Sequence, residues 1–213
     1  MKMPDYTLYL CTDRKSMKLG NLEEVAEQAI MGGCSVIQLR EKECSTREFF
    51  QTAKGIKSVT QKYNIPLIIN DRIDIALAVG AEGVHLGQED LPVAEARKLL
   101  GEDKIIGASA HNLEEALKAW KEGADYLGVG AIFGTKTKEN AVITSIDTLR
   151  EICTQVPIPV VAIGGVRGAN IEQLKHTGIS GVAVVSAIMA SEQPKEAAAE
   201  LLIRVREVQN EGI

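Results

Sequence analysis

The 213 residues are 45% hydrophobic and 25% charged, the balance of an ordinary soluble globular chain, and they suffice to bury about two-thirds or more of the surface without a disulfide or metal. A net charge of −5, scattered Lys and Arg, and only four Tyr, three Phe and one Trp exclude a basic, base-stacking surface for nucleic acid. No run reaches the 18 apolar residues of a spanning helix, and Met1-Lys2-Met3-Pro4-Asp5 carries no apolar signal region, so a cytoplasmic protein with no membrane partner is expected.

Short apolar runs, often rich in Val and Ile, alternate with charged stretches of helical spacing. Residues 6–11 are the first predicted strand, after which Asn21 stands at a helix N-cap before Leu22-Glu23-Glu24, whose acids suit the helix dipole. Residues 35–39 form the second strand, followed by TREFFQTAKGIKSVTQKY. Strands three, four and five are expected at 66–69, 83–86 and 105–107. The next helix opens at Asn112 with another Leu-Glu-Glu turn and stops at Gly123. Strand six covers 125–129 and strand seven 160–163, and Gly178 is the stop before strand eight at 181–185. Cys11, Cys34, Cys44 and Cys153 fit no C-x-x-C pattern, and the first two read as small core residues of a reduced protein.

Eight strand–helix units averaging about 27 residues, with no Pro/Gly/Ser linker, predict an α/β fold: a (β/α)8 TIM barrel forming one catalytic domain over residues 1–213. A doubly wound open sheet is the competing architecture. Gly128, Gly130 and Gly134 follow a strand but read G-x-G-x-x-x-G, one residue too long for a dinucleotide fingerprint, and GAIFGTK lacks P-loop spacing.

In such a barrel chemistry gathers where strands end. Gln38, Arg40 and Lys42 share one face of the second strand by period two, opposite Ile37 and Leu39, so the polar set is expected in the barrel mouth. Unpaired cations there are costly, which implies an anionic partner. The third strand ends in Asn70-Asp71-Arg72, and GVHLGQED brings Gln88, Glu89 and Asp90 to the same rim. Asp71 and Asp90 read either as ligands to a divalent metal bridging to a phosphorylated substrate, or as partners of Arg40, Lys42 or Arg72. Strand five offers Ser109 and His111.

After strand six, AIFGTKTKEN interleaves Thr135 and Thr137 with Lys136 and Lys138, a chemistry suited to an anion. Gly164 and Gly165 after strand seven permit close backbone approach to a ligand, and strand eight runs through Val185 and Ser186 into a short helix. Two anion sites on one rim imply two phosphorylated substrates, or one phosphorylated at both ends. His85 reads as a satisfied core residue, His111 as near a ligand but without an obvious partner for base catalysis, and His176 as a surface residue on a helix. Nothing resembles a Ser-His-Asp arrangement.

In order and spacing, QLREK, NDR, GVHLGQED, IGASAH, GADYLGVGAIFGTKTK, VAIGGV and GVAVVSAI resemble the thiamine phosphate synthase family over residues 8 to 187. The resemblance implies a TIM-barrel transferase of thiamine biosynthesis. It would join 4-amino-2-methyl-5-hydroxymethylpyrimidine diphosphate to 4-methyl-5-(2-phosphoethyl)thiazole, or its carboxylated form, giving thiamine monophosphate and pyrophosphate. Carried over position by position, Gln38, Leu39, Arg40, Glu41, Lys42, Asn70, Ser109 and Lys138 would bind the pyrimidine diphosphate. Thr135, Lys136, Thr137, Gly165, Val185 and Ser186 would bind the thiazole phosphate, and Asp71 and Asp90 would hold one Mg²⁺ per active site. Arg40, Lys42, Ser109 and Lys138 would be the catalytic set.

The partners implied are two phosphorylated small molecules; the sequence carries no signal for an oligomeric state. The family's loop usually reads GPxFPTxTK, and Ala131 and Gly134 occupy its proline positions here, so a more mobile lid over 131–143 is expected. A thiazole tautomerase relative would lack the charged set on strands two to four, whereas Arg40, Lys42, Asn70, Asp71 and Asp90 are all present. Other phosphate-binding barrels fit the strand seven–eight site but not the acid pair or the lid. A non-catalytic sensor of thiamine precursors is the reading from a different class.

Overall fold

The computed structural model describes residues 4–18, 20–135 and 142–210. Eight parallel strands close into a barrel in sequence order: β1 (Leu8–Cys11), β2 (Val36–Leu39), β3 (Leu67–Asn70), β4 (Gly83–Leu86), β5 (Ile105–Ala110), β6 (Tyr126–Val129), β7 (Val160–Ile163) and β8 (Gly181–Val184), with β8 paired back onto β1. The helices α1 (Leu22–Met31), α2 (Thr46–Lys62), α3 (Ile73–Val79), α4 (Val93–Leu100), α5 (Leu113–Lys121) and α6 (Ile146–Gln155) follow the first six strands, and α7 (Ser186–Met189) and α8 (Pro194–Asn210) follow β8. This is the predicted (β/α)8 TIM barrel. No helix among the described residues is long and apolar enough to cross a membrane.

The helix starts follow from local chemistry. Asn21 accepts a hydrogen bond from the Glu24 amide and Asn112 from the Glu115 amide, each satisfying a donor that the first turn leaves orphaned. Ser45 and Glu48 cap α2 reciprocally. One unit departs from expectation. The β7–β8 connection holds only a 3₁₀ turn, Ile171–Leu174, in place of an α-helix. Asn170 spans the start of this connection, its Nδ2 donating to the Gly165 carbonyl and its Oδ1 accepting from the Arg167 amide, so the chain stays in a tight turn. Helix α8 packs against both that turn and α1, and so covers the gap in the helical ring.

Alternation along each strand divides the core in two. Leu8 and Leu10, Ile37 and Leu39, Leu67 and Ile69 point outward and join the helices in one large apolar cluster. Tyr9, Val36, Ile68, Ile105, Tyr126, Val161 and Ala183, with Tyr6 beneath them, fill the barrel itself. Further toward the C-terminal ends the same inward face turns polar, with Gln38, Asn70 and His85 buried and Ser109 half-buried. The interior is thus apolar at the bottom and polar at the top.

Large rings inside a narrow barrel require vacancies on neighbouring strands. A Cβ at Gly107 would lie 2.1 Å from Cζ of Tyr126, and one at Gly181 would lie 1.8 Å from the Tyr6 carbonyl oxygen. Gly107→Ala therefore overpacks the barrel and is expected to cost about 1–3 kcal/mol. Gly134→Ala, with nothing within 4 Å of the added carbon, is expected to change stability by less than about 0.5 kcal/mol. Urea unfolding of both variants checks this, and equal losses would refute the packing account.

Candidate active site

The strand ends surround an open cleft of about 1770 Å³, walled by the loops after β1, β2, β6, β7 and β8. Arg40 and Lys42 line it, as the β2 alternation requires. The Arg40 amide donates to Thr12 Oγ1 at 3.1 Å, which fixes the backbone at the strand end. Among the described residues no carboxylate lies within ion-pairing distance of the half-buried Arg40 guanidinium. A cation in this position has a standing demand for an anion. Glu41, by contrast, is taken by Arg14, whose Nε and Nη2 donate to Oε1 at 3.1 and 2.8 Å. The Leu39 side chain is fully buried in the outer cluster, so only its backbone faces the rim.

Of the two readings of the acids, the ion-pair one is met at Asp71. Lys42 forms an ion pair with Asp71, whose backbone is left-handed at φ 64°. The Asp71 carboxyl also meets that of Asp90, and Asp90 Oδ2 accepts from the Gly87 amide at 2.7 Å. Burial, followed by the contact with Asp71, pushes the Asp90 carboxyl above its ordinary range. Arg72 turns away to Asp74, at 2.6–2.8 Å, and to Thr46. Among the described residues no third His, Cys, Asp or Glu joins the pair.

Beneath these charges a chain of polar contacts crosses the barrel. Gln38 Nε2 donates to the Tyr9 hydroxyl at 2.8 Å, that hydroxyl meets Tyr126 at 2.8 Å, and Tyr126 meets His85 Nδ1 at 2.9 Å. His85 Nε2 lies 2.9 Å from Ser109 Oγ, and at the other end the Cys11 thiol donates to Gln38 Oε1 at 3.1 Å. Burial holds both phenols well above their ordinary range and pushes the Cys11 thiol up to about 12, so all three keep their hydrogens.

Across the cleft, Gly134, Thr135, Gly165 and Ser186 line the same space, with Val185 just behind Ser186. Lys136, Thr137 and Lys138 lie outside the described residues. The base of the loop expected to be more mobile is tied by backbone hydrogen bonds. Ala131 donates to the Val142 carbonyl at 3.0 Å and accepts from the Thr144 amide at 2.8 Å, while Ile132 and Phe133 donate to the carbonyls of Ile163 and Gly164 at 2.9 Å each. These bonds hold residues 131–133 where proline would otherwise have fixed φ. Gly165, at φ 65°, has no room for a side chain, since a Cβ there would lie 2.5 Å from the Gly134 oxygen.

The family model described as thiamine monophosphate synthase (TMP-TENI) matches residues 8–188. The chain belongs to the thiamine monophosphate synthase family. Formation of thiamine monophosphate, in thiamine biosynthesis, is accordingly its activity. Thiamine-phosphate synthase from Ruminiclostridium cellulolyticum is 59% identical over 198 residues, 93% of this chain and 94% of that one. The enzyme of the same name from Clostridium tetani is 58% identical over 92% and 94% of the two chains. Among solved structures, thiamine phosphate pyrophosphorylase from Pyrococcus furiosus superposes with a TM-score of 0.87 at 42% identity, covering 96% of this chain and 97% of that one.

Within this thiamine monophosphate synthase fold, two histidines depart from their sequence readings. His176 is exposed, as expected, but sits at φ 59° in the turn after the 3₁₀ segment and not on a helix. His111 has a partner one helical turn on: Glu115 Oε2 receives its amide and meets its Nδ1, both at 2.8 Å. Sequence reasoning also passed over the loop after β1. Asp13, Arg14, Lys15 and Ser16 line the cleft, together with Arg47 and Arg167. The signal was available, because CTDRKS is a polar run at a strand's C-terminal end and obeys the rule applied to the other strands.

Burial pushes the Glu115 carboxyl up, but hydrogen bonds from the His111 ring and amide, its charge, and Asn112 outweigh this and the net shift is downward. A depressed folded-state carboxylate contributes stability above its unfolded value of 4.5, and that contribution disappears as pH falls through the folded value. Glu115→Gln is therefore expected to flatten the loss of thermal stability below pH 4.5. Melting curves across acid pH check this.

Proposed function

We propose that the chain, as one catalytic domain over residues 1–213, joins the pyrimidine diphosphate to the thiazole phosphate by displacing pyrophosphate, with the two substrates on opposite sides of this cleft. The observation that carries the reading is Arg40: a half-buried cation of the cleft with no carboxylate partner among the described residues, two positions from the Lys42 that pairs with Asp71, in a family that makes thiamine monophosphate. Gln38, the Leu39 backbone, Arg40, Lys42, Asn70, Ser109 and Lys138 receive the pyrimidine diphosphate. Glu41 acts there by holding Arg14 at the rim. Thr135, Lys136, Thr137, Gly165, Val185 and Ser186 receive the thiazole phosphate.

Asp71 and Asp90 fit a divalent cation. Two hard oxygen donors in contact, with Lys42 the cation beside them, are the donor set through which Mg²⁺ binds one or two carboxylates while substrate phosphates complete its shell. Bound there, one Mg²⁺ would neutralise charge on the diphosphate oxygens. The chain's own part is electrostatic. Arg40, Lys42 and Lys138 face the charge that grows as the carbon–oxygen bond to the diphosphate breaks, and the departing pyrophosphate takes the electron pair. The thiazole nitrogen supplies its lone pair to the methylene carbon and has no proton to lose. No general base is needed, which agrees with a site that positions and neutralises. The loop over 131–143 excludes water that would otherwise capture the methylene. The charged set on β2–β4 supports this reading over a thiazole tautomerase, which needs no diphosphate site, and over a sensor.

Arg40→Ala is expected to lower kcat about 10²–10³-fold, the scale seen when one preorganised donor is removed. Its melting temperature should hardly move, because no ion pair is lost. Asp71→Asn, which retains tolerance of left-handed backbone, should abolish stimulation by Mg²⁺. Turnover is read by oxidising product to fluorescent thiochrome, with EDTA expected to silence the wild type. EDTA-resistant turnover would sink the metal assignment, and equal loss of stability and activity in Arg40→Ala would sink the electrostatic one.

A further inference from the structure

We propose that the chain from Gln38 through Tyr9 and Tyr126 runs in one direction only, that it holds His85 as the Nε2-protonated tautomer, and that it thereby presents the Ser109 hydroxyl as a hydrogen-bond donor to the pyrimidine diphosphate. His85 and Tyr126 are positioning residues on this account. The inference deepens the reading above and rests on it for the placement of Ser109 against that substrate.

The direction follows from counting hydrogens. An amide nitrogen can only donate, so the Tyr9 oxygen accepts from Gln38 Nε2, while Gln38 Oε1 is occupied by the Cys11 thiol. The remaining polar contact of the Tyr9 hydroxyl is the Tyr126 hydroxyl, and the Tyr9 hydrogen goes there. Tyr126, accepting from Tyr9, directs its own hydrogen to His85 Nδ1. That nitrogen must then be bare, so the ring proton resides on Nε2 and is donated to Ser109 Oγ. The Ser109 hydrogen is thus turned away from His85 and left for another acceptor. Running the chain backward strands the hydrogen of a fully buried phenol at Tyr9 with no acceptor, which folded proteins avoid.

The backbone is shaped for this arrangement. Gly107 gives the Tyr126 ring its space, and a Cβ at Gly128 would lie 3.0 Å from Cε1 of His85. Gln88 Nε2 donates to the Ser109 carbonyl at 2.6 Å, so the serine is held by its backbone as well as by its oxygen. A serine hydroxyl normally rotates to suit whichever partner arrives. Here one lone pair is engaged before substrate binds and the donor direction is set, which lowers the ordering cost of binding an acceptor.

The test uses ligand-free protein labelled with ¹⁵N-histidine and long-range ¹H–¹⁵N correlation spectra near neutral pH. The chain has three histidines, so the double variant His111→Gln, His176→Gln leaves the His85 ring alone in the spectrum. The expected result is a proton on Nε2 and none on Nδ1. An Nδ1 that carries a proton, whatever Nε2 does, overturns the proposal and means that the Gln38 amide is turned end for end. Tyr126→Phe, which removes the hydrogen aimed at Nδ1, is expected to raise KM for the pyrimidine diphosphate about tenfold and to leave KM for the thiazole phosphate unchanged. If both KM values rise together, or neither does, the positioning role falls. If the tautomer is as assigned but the wild type forms no thiamine monophosphate, the direction of the chain stands and the reading of the cleft is what fails.

Discussion

A closed barrel of parallel strands has no solvent along its lower axis, so every inward side chain must fill space with its neighbours or bond to them. Most of this molecule's organisation follows from that constraint. At the bottom it is met by shape, with Tyr6, Tyr9 and Tyr126 packed together and the Tyr126 ring set against Gly107 on the adjacent strand. At the top it is met by hydrogen bonding, with Gln38, His85 and Ser109 tied through the phenols below them. Tyr9 and Tyr126 serve both ends: their rings belong to the apolar layer and their hydroxyls to the polar one. The Tyr6 hydroxyl is the exception, buried without a hydrogen-bond partner among the described residues, and the structure offers no physical account of why a phenylalanine does not stand there.

Above that layer the rim inverts the logic. Ion pairs such as Arg97 with Asp125 and Lys57 with Glu82 stand around the outside of the barrel, whereas the rim also brings the Asp71 and Asp90 carboxyls together and leaves Arg40, among the described residues, without a carboxylate. Such an arrangement is unfavourable in isolation and becomes favourable when an anion and a hard cation arrive together. Lys42 holds part of the pattern in place meanwhile by pairing with Asp71. On the proposed reading the same two groups would serve a diphosphate and a divalent metal, and ligand binding would exchange the resting ion pair for those interactions.

Much of this was legible in the sequence, for identifiable reasons. Strand positions came from short apolar runs, and β4 and β7 came out with the bounds observed because turn residues flank them closely. The polar face of β2 was readable because a period of two leaves no freedom about which residues face inward. Less readable was whatever depends on contacts between distant residues. That Glu41 is drawn to Arg14 and Arg72 to Asp74 is a matter of side-chain reach, which spacing does not encode. That Glu115 serves both the helix start and the His111 ring, which showed no obvious partner for base catalysis, is likewise a matter of one carboxylate reaching two groups. The missing helix between β7 and β8 was concealed by a connection of ordinary length whose tight turn is set by Asn170.

The base of the β6 loop carries a consequence for how this sequence can change. Two backbone hydrogen bonds and the bare α-carbons of Gly164 and Gly165 hold residues 131–133 against the end of β7, and two more tie Ala131 to Val142 and Thr144. One of those bonds is donated by the Ala131 amide, which a proline at that position would lack. Proline at 131 would therefore give up a bond of the wall, whereas Gly134, with nothing within 4 Å of an added carbon, is free to change; Gly164 and Gly165 beneath them are not.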